Sequence, residues 1–125
     1  DSSINANQVL VHLRFSDAPN LNKNMSYYIK AIKKLGKSKF LVCTDDKVFA
    51  QKFLEDNNFS NYLFSNGSLF DDFKLLSNAR VVITAPSTFS FWAIKISNRI
   101  SEVYLPHEIY HLLGSPSETA KVHVL

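Results

Sequence analysis

Three ionisable residues stand close together just after an apolar run near the start of the chain. In VHLRFSD, residues 11–17, they are His12, Arg14 and Asp17. If the run is a β-strand, alternation places His12 and Arg14 on the same face, near its carboxyl end. The arginine guanidinium is a planar fork of N–H donors that fits a phosphate, and Asp17 or His12 can hold it in place. An ion pair between Arg14 and Asp17 that closes a loop, and a histidine buried in the core, remain alternatives.

A second apolar run ends in hydroxyl and carboxylate side chains, in the segment LVCTDD. Thr44 or Asp45 can cap the helix that follows, as such residues commonly do. Adjacent carboxylates also suggest a metal site, but no third ligand stands at a defined spacing from them. We therefore expect no metal ion here, and a helix cap is the ordinary explanation.

A third candidate is VVITAPSTFSFWA, residues 81–93, in which a proline ends an apolar run. Ser87 or Thr88 can cap a helix whose apolar residues follow at helical spacing. Such a helix directs its unpaired backbone N–H groups and two hydroxyls at the end of the strand, which makes a site for an anion. The alternative is a plain capped helix with its aromatic residues in the core, and for Trp92 we expect the core. The glycines that flank the nucleophile of a serine hydrolase are absent.

Two carboxylates, Asp71 and Asp72, open a further predicted helix in DDFKLLSNA. The helix dipole favours negative charge in the first turn, and this alone explains them. A carboxylate near the end of a strand can also accept the paired N1–H and N2–H donors of guanine. Recognition of a base by this segment therefore stays open beside the structural explanation.

The order of the predicted elements indicates how these residues meet. Apolar runs of strand length alternate with longer amphipathic stretches. The predicted strands are Gln8–Leu13, Lys39–Thr44, Asn61–Phe64, Arg80–Thr84 and Glu102–Leu105, and the predicted helices are Met25–Leu35, Asp46–Asn57, Phe70–Asn78 and Thr88–Asn98. This alternation predicts an α/β fold, a Rossmann-like parallel sheet with helices on both faces. In such sheets a ligand binds outside the carboxyl ends of the strands, where the strand order reverses.

The chain of 125 residues is long enough for one sizeable core and too short for two ordinary domains. We therefore expect a single domain over residues 1–125, with a core of about 8–113 and a loosely attached polar tail, residues 114–125. The lone cysteine, Cys43, excludes an intramolecular disulfide and is expected to be a small buried hydrophobe.

The charge and hydropathy of the chain argue against two classes of partner, nucleic acids and the membrane interior. The formal net charge is +3, and the lysines fall mainly in an amphipathic segment, residues 23–39. A solvated helix face explains them better than a nucleic-acid interface, which would interleave basic and aromatic residues, so we expect no nucleic-acid partner. No apolar run is long enough to span a bilayer. Membrane association is expected only through parts outside this chain, and the compartment and the oligomeric state stay unassigned.

Taken in order, the segments resemble the inverting α-1,2-fucosyltransferases that use GDP-fucose. That family has an HxRxGD motif, a tyrosine pair before an Ala-Ile helix, an SDD-like turn, a D-x-x-L-x-S helix and an STFSWW-like turn. The matching segments here are HLRFSD, SYYIKAI, CTDD, DDFKLLSNA and STFSFWA, which lie between residue 9 and about residue 95. The core α-1,6- and protein O-fucosyltransferases are similar more distantly. The chain departs from the pattern at Phe15, often a second arginine in the family, and at Ser16, where the family has glycine.

The resemblance implies a fold and an activity. The fold would be the C-terminal, nucleotide-sugar half of a two-domain GT-B glycosyltransferase whose acceptor-side domain lies outside this chain. The activity would be transfer of L-fucose from GDP-fucose to a glycan hydroxyl with inversion, in α-1,2 linkage, without a metal or other cofactor. Two alternatives remain besides a core or protein O-type relative: a nucleotide-binding module that has lost transfer, and a Rossmann-like domain for another phosphorylated ligand.

The same resemblance implies roles for individual residues. Arg14 would donate to the GDP diphosphate, with His12 as a neighbouring ligand of the nucleotide. Asp72, five residues before Ser77, would accept the guanine donors. The remaining nucleotide contacts would come from a phosphate-binding turn and a pocket residue, namely Ser87, Thr88, Phe89 and, near the ribose, Asp45. Asp17 is the nearest carboxylate to serve as the catalytic base, unless it is needed as the partner of Arg14.

Overall fold

In the computed structural model, six β-strands alternate with five α-helices along the residues that the structure describes, 9–15 and 21–125. The strands are β1 (Val9–Leu13), β2 (Phe40–Thr44), β3 (Tyr62–Phe64), β4 (Val81–Ile83), β5 (Glu102–Leu105) and β6 (Lys121–Val124). The helices are α1 (Leu21–Lys34), α2 (Lys47–Asp56), α3 (Leu69–Asn78), α4 (Thr88–Lys95) and α5 (His107–Leu113).

The strands form one sheet in the order β3-β2-β1-β4-β5-β6, and every neighbouring pair is parallel. This confirms the predicted α/β, Rossmann-like class. The strand order reverses between β1 and β4, so a crevice is expected at the carboxyl ends of those two strands.

The strand β1 shows why the apolar runs do not alternate with polar residues. Val11 and Leu13 pack with residues of α1 and α2 in one core cluster, whereas Leu10 packs with residues of α3 and α4 in another. Since both faces of the sheet are covered by helices, both sets of side chains are buried. The helices therefore lie on both faces, as predicted, and α3 and α4 cover the face to which His12 also points.

The start of α2 differs from the sequence-based expectation. Its N-cap is Asp46, whose side chain accepts a hydrogen bond from the Phe49 N–H at 3.0 Å. Neither Thr44 nor Asp45 caps the helix: the Thr44 hydroxyl accepts the Asp46 N–H at 3.2 Å, and Asp45 turns to the end of β1. A run of three polar residues cannot reveal which of them reaches the cap, because each can accept from a backbone N–H.

The segment 114–125 is not the loose tail that its composition indicated. It contains β6, which pairs in parallel with β5 from Glu102 opposite Lys121 to Leu105 opposite Val124. Both α5 and β6 were missed in the sequence. They are short, and β6 is an edge strand whose residues are exposed or only half-buried, so it lacks the apolar run that marks the inner strands.

The expectation for Trp92 was also wrong. The indole is 51% exposed and contacts the edge of Phe91, which is itself buried. The buried side chains of α4 are Ser90, Phe91, Ala93 and Ile94, so these residues form the inner face of the helix. Trp92 and Ile96, one turn apart, therefore share the outer face of the helix.

Candidate functional site

Three buried polar side-chain atoms gather where the strand order reverses. They are His12 Nδ1, Thr84 Oγ1 and Ser87 Oγ, and none has a hydrogen-bond partner within the part of the chain that the structure describes. Leaving a buried polar group unpaired costs about 1–3 kcal/mol, so such groups are rare unless a ligand or water serves them. We call these three side chains the crevice group.

The register of the sheet places the crevice group. Strands β1 and β4 pair from Val9 opposite Val81 to Val11 opposite Ile83, so Thr84 follows at the level of His12. Side chains two residues apart share a face, which puts His12, like Leu10, on the side covered by α3 and α4. Thr84 lies one residue beyond β4, and its side chain is close enough to Tyr27 of α1 to act against the rise in the pKa of that hydroxyl. Ser87 is the N-cap residue of α4, at the next bend of the chain.

The hydroxyl of Ser87 makes no capping hydrogen bond, although the residue occupies the predicted cap position. The turn is closed by other atoms: the Ser87 N–H donates to the Ala85 carbonyl at 2.8 Å, and the buried Ser90 hydroxyl accepts the Ala85 N–H at 3.1 Å. Because Ser90 holds the turn, the Ser87 hydroxyl remains for a further partner. Thr88, by contrast, is exposed in the first turn of α4.

The imidazole of His12 is 7% exposed and packs edge-on against Phe89, with ring centroids 5.4 Å apart. Phe89 in turn contacts Phe73 of α3 at 5.4 Å. Burial and, after it, the positive charge of Arg14 lower the pKa of His12 to about 4, while the Asp45 carboxylate acts in the opposite direction. The imidazole is therefore neutral at pH 7 and offers one N–H donor and one acceptor.

The segment that follows β1 is held by two hydrogen bonds. The Arg14 N–H donates to the Tyr28 hydroxyl at 3.0 Å, and the Phe15 N–H donates to Asp45 Oδ1 at 3.0 Å. Tyr28 is buried and comes from α1, on the other face of the sheet. Asp45 and Tyr28 therefore fix the backbone from which the half-buried Arg14 side chain extends.

The neighbouring Tyr27 ties two strand ends together. Its hydroxyl lies within hydrogen-bond distance of the Thr84 carbonyl at 2.7 Å and of the Tyr104 carbonyl at 2.9 Å. These are the carbonyls at the carboxyl ends of β4 and β5. Burial raises the pKa of both tyrosine hydroxyls, so they stay protonated. The tyrosine pair of SYYIKAI thus supports the crevice from the α1 face, a role that the sequence alone did not indicate.

The two carboxylates at the start of α3 have separate surroundings. Asp71 forms a capping box with Ser68, and these hydrogen bonds, first from the Ser68 backbone and then from its side chain, lower the pKa of Asp71. Asp72 does not cap the helix: its Oδ1 accepts the Ser65 hydroxyl at 2.7 Å. Cys43, opposite His12 in the register of β1 and β2, lies nearby. Burial, and then the Asp72 charge, raises the pKa of its thiol to about 12.

The predicted site residues therefore fall into adjacent groups along one edge of the sheet. His12 and Ser87 belong to the crevice group, with Phe89 packed against the His12 ring. Asp72, Ser65 and Cys43, which we call the Asp72 group, lie at the ends of β2 and β3. The predicted base, Asp17, lies outside the described residues. Sequence reasoning missed Thr84, Ser65 and the tyrosine pair as supporting residues, because their partners depend on strand register.

The described residues contain neither a cluster of metal-ligating side chains nor a helix that could span a membrane. No group of three or more His, Cys, Asp or Glu side chains in residues 9–15 and 21–125 is arranged to hold a metal ion. Of the helices described, none has the length and apolar character needed to cross a bilayer.

Comparisons with known proteins bear on the family. Neither the curated proteins nor the solved structures gave a significant match. The profile of one protein family, described as glycosyl transferase family 11, matches residues 9–110. The match runs from the first residue of β1 into α5 and therefore includes the crevice group and the Asp72 group. The chain belongs to glycosyl transferase family 11, the α-1,2-fucosyltransferase family that its motifs resemble.

Proposed function

We propose that this domain binds GDP-fucose across the carboxyl ends of β1 and β4 and transfers L-fucose, with inversion, to a glycan hydroxyl in α-1,2 linkage. The observation that supports this most strongly is the crevice group. Three buried polar atoms without partners in the described residues lie at the position where Rossmann-like sheets bind ligands. Arg14 directly follows β1, and its positive charge acts on the His12 imidazole.

The crevice suits a diphosphate. Ser87 and Thr88 stand at the N-terminus of α4, where backbone N–H groups and the helix dipole favour an anion. Arg14 supplies a guanidinium fork from the β1 side, and neutral His12 supplies one N–H donor without adding charge. We assign the Thr84 hydroxyl to the same ligand because it is buried at the level of His12 and has no hydrogen-bond partner among the described residues.

This arrangement suits the proposed transfer. The acceptor oxygen bonds to C1 of fucose while the bond from C1 to the β-phosphate oxygen breaks, and its electron pair leaves on GDP. Arg14 and the α4 N-terminus stabilise the growing negative charge, which is often the largest single contribution of an active site. Attack from the face opposite the phosphate converts the β-linked donor into an α-linked product. We assign the departing proton to Asp17, the nearest carboxylate in the sequence.

The base and ribose belong to the neighbouring part of the edge. Asp72 is proposed to accept the N1–H and N2–H groups of guanine, which adenine does not offer. Asp45 is proposed to shape the pocket near the ribose, since it already fixes the Phe15 backbone.

One observation favours a second candidate, a nucleotide-binding module without transfer. Phe15 stands where the family often has a second arginine, and it is 6% exposed against Tyr28, Phe49 and Phe53. A buried aromatic side chain cannot supply the charge that an arginine would give to the leaving group. Binding of GDP-fucose without turnover, by the protein that carries this domain, would favour this candidate.

The test is calorimetric titration of GDP, GDP-fucose, UDP and ADP into the chain, with EDTA present. The expected result is binding that selects guanine and that weakens in Asp72→Ala. Binding indifferent to the base, or none, would contradict the proposed function.

A further inference from the structure

Residue Ser65 lies at the end of β3, one residue beyond the strand, and is 8% exposed. Its N–H donates to the Val42 carbonyl of β2 at 2.8 Å, so the β2–β3 ladder extends through it. Its backbone position is therefore set by the sheet, unlike that of a residue in a long loop. Such a position suits a side chain that must hold another group at a fixed place.

Within the described residues the Ser65 hydroxyl makes two hydrogen bonds, which set its direction, and the Cys43 thiol lies beside both Ser65 and Asp72. The Ser65 hydroxyl accepts the Gly67 N–H at 3.2 Å and donates to Asp72 Oδ1 at 2.7 Å. A hydroxyl has a single proton, so this proton is committed to the carboxylate. The result is a chain of hydrogen bonds from the Gly67 backbone through Ser65 to one oxygen of Asp72.

The turn that carries Gly67 depends on glycine. A Cβ added there would lie 2.5 Å from the Cβ of Asp71, which is closer than two non-bonded carbon atoms approach in proteins. The close approach brings the Gly67 N–H to Ser65 while Asp71 completes the capping box with Ser68. The turn, the cap and the Ser65 hydroxyl thus form one connected structure around the start of α3.

We propose that Ser65 is a positioning residue that sets selectivity for guanine by fixing the plane of the Asp72 carboxylate. This rests on the proposed function, in which Asp72 accepts guanine. A carboxylate has about four lone-pair sites, more than the Ser65 hydroxyl and the neighbouring Cys43 thiol occupy, so acceptor capacity remains for the N1–H and N2–H groups. Both of those bonds require the carboxylate plane to match the plane of the base. Without Ser65, Asp72 samples other rotations, and the bond to the exocyclic amino group suffers most.

The test compares affinities for GDP and for inosine diphosphate, which lacks only the 2-amino group. In the unaltered chain we expect GDP to bind at least about tenfold more tightly, the value of one hydrogen bond to a charged group. In Ser65→Ala the preference for GDP is expected to fall to about threefold, because the bond to the 2-amino group depends on the plane of the carboxylate. In Asp72→Ala the preference is expected to vanish, because the carboxylate itself is absent. Ser65→Thr, which restores the hydroxyl, is expected to recover the preference.

The matched control is Ser101→Ala. Like Ser65, Ser101 donates its hydroxyl proton in one hydrogen bond, here to the Arg80 carbonyl at the amino end of the sheet. We expect this variant to keep the full preference for GDP. Thermal unfolding of each variant separates loss of fold from loss of selectivity.

The outcomes distinguish the inference from the proposed function. A preference that disappears in Asp72→Ala but is unchanged in Ser65→Ala would overturn the inference alone. Equal weakening of GDP and inosine diphosphate in Ser65→Ala would also overturn it, since that is the result of a purely structural role. An unaltered chain with no preference for guanine over adenine would overturn both.

Discussion

The crevice group and the Asp72 group lie side by side on the same edge of the sheet, yet they differ in how their polar atoms are paired. The atoms of the crevice group, His12 Nδ1, Thr84 Oγ1 and Ser87 Oγ, have no partner within the described residues. In the Asp72 group, Ser65 is bonded on both sides. The difference indicates two roles. The unpaired atoms of the crevice group are available to hydrogen-bond a ligand, whereas the hydrogen bonds of Ser65 orient the Asp72 carboxylate.

The largest expected effect concerns charge at the crevice. Arg14→Ala should lower the rate of fucosyl transfer by on the order of a hundredfold or more, since it removes stabilisation of the leaving diphosphate. The rate would be measured with GDP-fucose and a panel of glycan acceptors in the protein that carries this domain. Arg99→Ala, at an exposed arginine distant from this edge, is the matched control and should transfer normally. A normal rate in Arg14→Ala would remove Arg14 from the mechanism.

The next effect concerns the buried imidazole. Because the pKa of His12 is about 4 in the folded chain, below its ordinary 6.5, the unfolded chain takes up the proton first as the pH falls. Its contribution to stability is therefore present above pH 6.5 and is lost as the pH falls towards 4. Between about pH 7.5 and about pH 5 the free energy of unfolding should drop by on the order of 2 kcal/mol from this group.

Urea unfolding at the two pH values measures this drop. His12→Gln should flatten the dependence, whereas His111→Gln, at an exposed histidine of α5, should leave it unchanged. The same pH dependence in His12→Gln as in the unaltered chain would show that another group is responsible.

A smaller effect separates the two neighbouring carboxylates of α3. Asp72→Ala should weaken GDP binding by about tenfold and abolish the preference over ADP, since a charged acceptor is removed. Asp71→Ala should instead lower the melting temperature through loss of the capping box and keep the preference. Titration calorimetry and thermal unfolding of both variants provide the two readouts. Loss of preference in Asp71→Ala with retention in Asp72→Ala would reverse the assignment.

The smallest effect bears most directly on the pairing of the polar atoms. Thr84→Val removes a buried hydroxyl that has no hydrogen-bond partner among the described residues, and it should stabilise the ligand-free chain by about 1 kcal/mol. Ser65→Ala breaks a formed hydrogen bond and should destabilise it by about 1 kcal/mol. Chemical unfolding of the two variants measures both changes. Destabilisation in both would mean that the Thr84 hydroxyl is paired in solution and that the two groups do not differ as described.

The sequence predicted those parts of the fold that rest on local patterns. Strands β1 and β2 are apolar on both faces because helices cover both sides of the sheet, and continuous apolar runs in the sequence indicate such strands. The elements after β5 were not predicted, because α5 is short and β6 is a half-exposed edge strand. The exposure of Trp92 depended on which side of α4 meets the sheet, which helical spacing alone does not decide.

The candidate site likewise contains residues that local patterns predict and residues whose roles depend on the tertiary structure. His12, Arg14, Asp72 and Ser87 were predicted as site residues because they lie near the carboxyl end of a strand or near the start of a helix. Their supporting residues were not predicted. The hydrogen bond from Ser65 to Asp72 depends on the turn before α3, and the position of Thr84 beside His12 depends on the register of β1 and β4. Asp46 replaced Asp45 as the cap for a similar reason.

The most direct test of the account is a crystal structure of the chain with GDP. We predict the diphosphate within hydrogen-bond distance of Arg14, Ser87 and Thr84, with the guanine edge on the Asp72 carboxylate and the Ser65 hydroxyl still on its Oδ1. GDP bound at another edge of the sheet, or with its base directed away from Asp72, would contradict the account.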